Sequence, residues 1–111
     1  MQLTVDRIGN VTVIQLSVEN LDASNTRELK RQISPLLETE TRLVFDLAKV
    51  KFIDSSGLGV LLACLRQVNA KDGDVKICCL AKQVRVIFEL VRLHRIFDMF
   101  NTREEAAKAF D

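Results

Sequence analysis

Residues 52–62 read FIDSSGLGVLL. Phe52-Ile53 is a short extended pair, and the apolar residues that follow have a different period. Leu58, Leu61, Leu62, Leu65 and Val68 recur at helical spacing, which predicts a helix ending near Asn69, with Gly73 in the turn beyond it. A strand that runs into a helix through a polar, glycine-containing turn is the building unit of an α/β fold. Asp54, Ser55 or Ser56 is a preferred residue type at such a helix start. A helix N-terminus also offers unpaired N–H groups and partial positive charge, so an added phosphate or an approaching anion is accommodated there. Gly57 and Gly59 remove side chains beside Ser55, which predicts close approach by another protein's backbone. Val60, Ala63 and Cys64 lie off the leucine line. A helix so widely apolar is either fully buried or partly covered by a partner.

Outward from this stretch the pattern repeats. Leu3–Ile8 and Val11–Leu16 alternate around Gly9-Asn10, a two-residue hairpin signal. Asp22 or Ser24 is expected to cap a helix whose inner face carries Leu29, Ile33, Leu36 and Leu37; Pro35 either kinks it or starts a second piece capped by Ser34. Leu43–Leu47 reads as a buried strand and Val75–Leu80 as another. Lys82–Leu93 reads as a helix with Val84, Ile87, Phe88 and Val91 inward, and residues 96–100 as a last strand. Thr102 and Glu105 form a capping box for a terminal helix. The order ββαβαβαβα predicts an α/β domain: a small mixed, mostly parallel sheet of four to five strands packed with about four helices. The later connections are expected to be parallel and right-handed.

The 111 residues suit one domain, expected to span 1–111, and nearly half of them are apolar, enough for a single core. Sixteen Lys and Arg against fifteen Asp and Glu give a net charge of +1, which predicts no electrostatic grip on nucleic acid or on an anionic membrane. Tyr and Trp are absent and the six Phe are scattered, so no base-stacking platform is expected. MQLTVDRIGN has no basic start followed by an apolar stretch, and the longest apolar run is too short for a bilayer; a soluble, cytosolic protein is expected. Cys64, Cys78 and Cys79 read as buried free thiols. Cys78 and Cys79 are expected on opposite faces of a strand, and with His94 the only histidine no metal site or cofactor is expected.

Enzymatic chemistry finds little support. Asp54 and Ser56 flank Ser55 where a nucleophile elbow needs G-x-S-x-G, and SSGLG lacks the Gly-Lys-Ser/Thr of a phosphate-binding loop. The sole candidate base, His94, stands in the charged context RLHR and reads as a surface or helix-end residue.

The run LVFDLAKVKFIDSSGLGVLLACLRQV resembles the core of STAS domains, specifically the bacterial anti-sigma factor antagonists. The shared features are Asp46-Leu47 at a strand end and Ile53 through Gly59. LDASNTRELK (21–30) resembles the family segment that starts the first helix, and VRVIFELVRLHRIFDMF (84–100) its helix-then-strand tail. The resemblance implies a non-enzymatic binding switch. Unphosphorylated, the protein captures an anti-sigma factor that is also a serine-protein kinase; phosphorylation dissociates the pair, and a serine phosphatase resets it. Carried over by position, the phosphoacceptor is Ser55, with Ser56 as backup. The partner surface combines Asp22, Ser24, Asn25, Asp54, Ser55, Ser56, Gly57, Leu58 and Gly59, on a monomer or weak homodimer. Asp54 would shape the loop by capping or by accepting a hydrogen bond. The alternative is a STAS module in another assembly: a stress-signalling scaffold, a transporter-associated regulator, or a partner switch acting on something other than a sigma factor. Three positions depart from the family pattern: Arg92 stands where Gly is frequent, Lys82 where Pro is frequent, and Pro35 lies inside the first helix. A non-Gly residue in a left-handed helix cap costs about 1 kcal/mol, so a different helix end or a different partner surface is expected here.

Overall fold

The structure, a computed structural model, describes residues 2–111. Its strands are β1 (Leu3–Ile8), β2 (Val11–Leu16), β3 (Asn20–Leu21), β4 (Arg42–Asp46), β5 (Phe52–Ile53), β6 (Asp74–Cys78) and β7 (Met99–Phe100). Its helices are α1 (Thr26–Thr39), α2 (Ser55–Asn69), α3 (Lys82–Leu90) and α4 (Arg103–Lys108). Among the described residues β1-β2-β4-β6-β7 form one five-stranded sheet, antiparallel at β1–β2 and parallel thereafter. The hairpin closes with Ile8 opposite Val11 and a positive φ at Gly9 (60°), as its two-residue turn requires.

Helices cover both faces. Ile14, Leu16, Leu43, Phe45, Val75 and Ile77 share a core with Leu29, Ile33 and Leu37 of α1, Leu61 and Leu65 of α2, and Val84 and Phe88 of α3. On the opposite face Val11, Val13, Val44 and Cys78 pack under Ala106 and Ala107 of α4. β4 is therefore buried on both sides, which explains why LVF reads as a continuous apolar run where a one-sided strand would alternate.

Buried charge ties α4 to the sheet. Arg103 Nη2 and Nε donate to Asp46 Oδ2 at 2.6 and 3.2 Å, and its Nη1 reaches Asp6 at 2.9 Å. Gln15 Nε2 and the Ala48 N–H also donate to the Asp46 carboxylate. On the same side Lys76 is buried between Asp74 and Asp98, with its ammonium 4.9 Å from the Phe110 ring centroid.

Several expectations require correction. Neither Asp22 nor Ser24 caps α1: the cap position is Asn25, and its side chain is spent on the preceding turn. Pro35 neither breaks α1 nor starts a second piece. It lies on the exposed side of a continuous helix, and Ser34 Oγ donates back to the Lys30 carbonyl at 2.9 Å instead of capping. β6 ends at Cys78, because Cys79 turns the chain with φ 65°. The two thiols therefore do not point to opposite faces; their sulfurs lie 3.3 Å apart. α3 stops at Leu90, so Val91 is exposed where it was expected inward. The helix end itself is not altered by the departure from Gly, since Arg92 adopts the left-handed conformation (φ 62°, ψ 24°) that favours glycine. A 3-10 turn, Leu93–Arg95, follows, and the last strand is correspondingly shorter than residues 96–100.

Candidate functional site

β3 and β5 form a second, two-stranded parallel sheet, Asn20 opposite Phe52 and Leu21 opposite Ile53. These strands are too short to show alternation in the sequence, and their pairing was not anticipated. It sets the start of α1 beside the start of α2.

At α2 the N-cap is Asp54, in extended backbone, with Oδ1 accepting the Gly57 N–H at 3.0 Å. Its other oxygen, Oδ2, accepts the Ala23 N–H at 3.3 Å. One carboxylate thus caps α2 and ties it to the turn before α1. That turn is held from within: Asp22 Oδ1 accepts the Ser24 N–H at 2.9 Å and the Ser24 hydroxyl at 2.5 Å. Asn25 Oδ1 accepts the Asp22 N–H at 3.1 Å, and Asn25 Nδ2 donates to the Asn20 carbonyl at 2.6 Å. Short polar side chains that bond to nearby backbone favour such a turn over an earlier helix start.

Ser55 is the first residue of α2 and is exposed; Ser56 is half-buried. The first N–H groups of a helix have no carbonyl partner within it, so Ser55 sits where partial positive charge concentrates. The two glycines divide in role. Gly57 is buried, and a Cβ there would lie 2.5 Å from the Leu21 carbonyl oxygen and 2.8 Å from Ile53 Cγ1. Its missing side chain therefore admits β3 and does not open the surface to a partner, contrary to expectation. Gly59 is exposed, with nothing within 4 Å of a Cβ, and it alone leaves open space next to the serine end. Leu58 is half-buried against the core. Cys64, placed off the leucine line, is buried within the core stripe of Gly57, Leu61, Leu65 and Val68, and Val60 packs partly against the core; the breadth of apolar character on α2 is met mainly by the fold itself.

The nine proposed partner-surface residues thus lie on two helix starts joined by the Ala23–Asp54 bond. His94 lies elsewhere, exposed in the 3-10 turn after α3.

Asp46, Cys78 and Cys79 form a grouping that spacing did not reveal, with ligand atoms within 4.8 Å of one another. The Asp46 carboxylate is committed to Arg103, Gln15 and Ala48. Burial pushes both thiols up, and for Cys78 the contact with Cys79 adds to the effect. These groups join the ends of the interior strands β4 and β6 to α4. Among the described residues no helix is long and apolar enough to cross a membrane.

The family model described as the STAS domain matches residues 2–106. The chain belongs to the STAS-domain family of anti-sigma factor antagonists. This STAS domain is 32% identical to BtrV of Bordetella bronchiseptica, whose name classes it among anti-sigma factor antagonists, over 99% of this chain and 95% of the relative. It is 28% identical to the anti-sigma-B factor antagonist of Bacillus subtilis, covering 89% of this chain and 92% of that protein. The Bacillus cell fate determinant SpoIIAA in its phosphorylated form has the same fold, with a TM-score of 0.73, 23% identity, and coverage of 98% of this chain and 99% of that one. The five-stranded, mostly parallel sheet with four helices, seen among the described residues, is therefore the STAS architecture expected from the DSSGLG block.

Proposed function

We propose that this STAS domain is a phosphorylation-switched antagonist: unphosphorylated, it captures an anti-sigma factor that is also a serine kinase, and phosphorylation of Ser55 ends the complex. The observation that carries this reading is the placement of Ser55. Its side chain is exposed at the first position of α2, while the adjacent carboxylate, Asp54, is already engaged by the Gly57 and Ala23 N–H groups. The hydroxyl is accessible to a kinase, and the fold does not depend on it.

The electrostatics suit a switch. A phosphate brings about −1.5 to −2 charges. The start of α2 tolerates that charge, so the domain stays folded. A partner seated on residues 22–25 and 54–59 meets the new charge beside the existing carboxylates of Asp22 and Asp54. Weakening a complex roughly 100- to 1,000-fold takes only about 3–4 kcal/mol, which one desolvated, poorly paired phosphate supplies. A serine phosphatase would restore the free hydroxyl. In this reading Asp54 positions the loop, and Ser56, half-buried, is the secondary acceptor.

Incubation with candidate serine kinases and ATP, followed by mass spectrometry, should place the phosphoryl group on Ser55. The double variant Ser55→Ala, Ser56→Ala should bind the kinase and never be released by ATP, and Ser55→Asp should bind at least tenfold more weakly, roughly 1.4 kcal/mol or more. Transfer to a residue other than Ser55 or Ser56, or to none with any kinase, overturns the proposal and favours a STAS module of another assembly.

A further inference from the structure

α3 presents a second surface, built from residues outside the two serine-end turns. Val86 and Leu90 stand one helical turn apart, with Leu90 77% exposed; Val91 and Ile96, on the segment that follows, are each about half exposed. The opposite side of α3, Val84 and Phe88, is in the core, and Phe88 meets Phe97 edge-on with ring centroids 6.2 Å apart. That contact anchors the 3-10 turn against α3, so the apolar surface residues are held on a fixed frame.

Charge is segregated to the same segment. Residues 82–96 carry Lys82, Arg85, Arg92 and Arg95 against Glu89 alone, net +3 with His94 neutral; the chain as a whole is +1, so the remainder is −2. Among the described residues none of these four cations makes an ion pair, so their charge is available to a partner. Exposed aliphatic groups rimmed by unspent guanidinium groups complement an apolar stripe flanked by carboxylates.

We propose that the α3 surface docks an acidic amphipathic helix of a partner protein, with Val86, Leu90, Val91 and Ile96 receiving its apolar stripe and Arg85, Arg92 and Arg95 its Glu or Asp side chains. A second copy of this chain fits poorly, because a two-fold contact on this face would set the basic rims against each other. A lipid surface fits less well than a helix, because the nine-residue α3 already spends Val84 and Phe88 on the core and has only Val86 and Leu90 as large exposed apolar side chains to insert. The site does not involve Ser55, so occupancy is independent of the phosphorylation switch.

The test is amide NMR on the full chain with a synthetic helix-forming peptide carrying Leu at i, i+4 and i+7 and Glu on its flanks. Shifts should centre on Val86, Leu90, Val91 and Ile96. The same peptide with Lys for Glu should bind about tenfold more weakly or not at all, and raised salt should weaken the acidic peptide. Leu90→Ser and Arg95→Glu, both at exposed positions, should lose the shifts while thermal unfolding stays unchanged, and Ser55→Asp should retain them. Equal binding of both peptides, no shifts, or shifts confined to the start of α2 overturns the proposal. So does binding to phosphatidylglycerol vesicles with no response to the acidic peptide, or concentration-dependent shifts at these residues without any peptide, which would assign the surface to a lipid or to a second copy.

Discussion

Gly57 and Gly59, two residues apart in the same helix, have opposite physics. At Gly57 an added methyl group collides with the Leu21 carbonyl oxygen at 2.5 Å, and backbone cannot swing aside as a side chain can. Gly57→Ala should therefore cost about 1–3 kcal/mol, read as a lower urea midpoint, and should separate β3 from β5. Gly59→Ala meets open space in an exposed helical position and should stabilise the domain by about 0.5–1 kcal/mol, while filling the gap beside Ser55 and weakening partner binding. In the sequence the two glycines look alike. The DSSG block was legible as a helix start, and Asp54 does cap it. What spacing could not show is which glycine faces inward, because that depends on the β3–β5 pairing.

At the scale of elements, β1, β2, β4, β6 and helices α1 to α3 were legible because each has enough residues to show its period, and α4 because Thr102 and Glu105 mark its start; β7, two residues long, was read only as part of a longer run. Their ends were less so. α1 begins after Asn25 because Asp22, Ser24 and Asn25 satisfy one another in a turn, and β6 stops at Cys78 because Cys79 leaves extended geometry. α4 is a short helix whose attachment depends on Arg103 meeting the buried Asp46 carboxylate. Arg103→Ala strands that carboxylate and should destabilise the domain by about 3–5 kcal/mol in chemical denaturation. Replacing both Arg103 and Asp46 with apolar residues should recover much of the loss, since the penalty lies in the unpaired charge more than in the missing attraction.

At the scale of the whole molecule, acid sensitivity follows from contacts between distant segments. Glu40, just past α1, accepts the Thr12 hydroxyl of β2 at 2.6 Å and pairs with Arg7 of β1 at 3.1 Å. The Thr12 hydrogen bond, with the Arg7 charge assisting, holds the Glu40 carboxyl below its ordinary range. A depressed folded-state value gives a contribution that is complete above the unfolded value of about 4.3 and is lost as pH falls through the lower folded value. Urea midpoints should thus fall below about pH 4.3, and Glu40→Gln should flatten that fall while lowering stability at pH 7.

Alternation in β1 and β2, the two-sided apolar run of β4 and the helical stripes of α1, α2 and α3 are local patterns, and they suffice to specify a mostly parallel sheet covered by helices. The serine at the head of α2 is legible for the same reason, since a cap and its helix are neighbours in the chain. Tertiary structure alone decided which polar and apolar groups remained unspent. Whether Asp54 also holds Ala23, whether Gly57 is filled by Leu21, and whether Leu90 and the arginines around it are left without partners are settled between segments far apart in sequence, where burial and hydrogen-bond geometry, and not periodicity, determine the outcome.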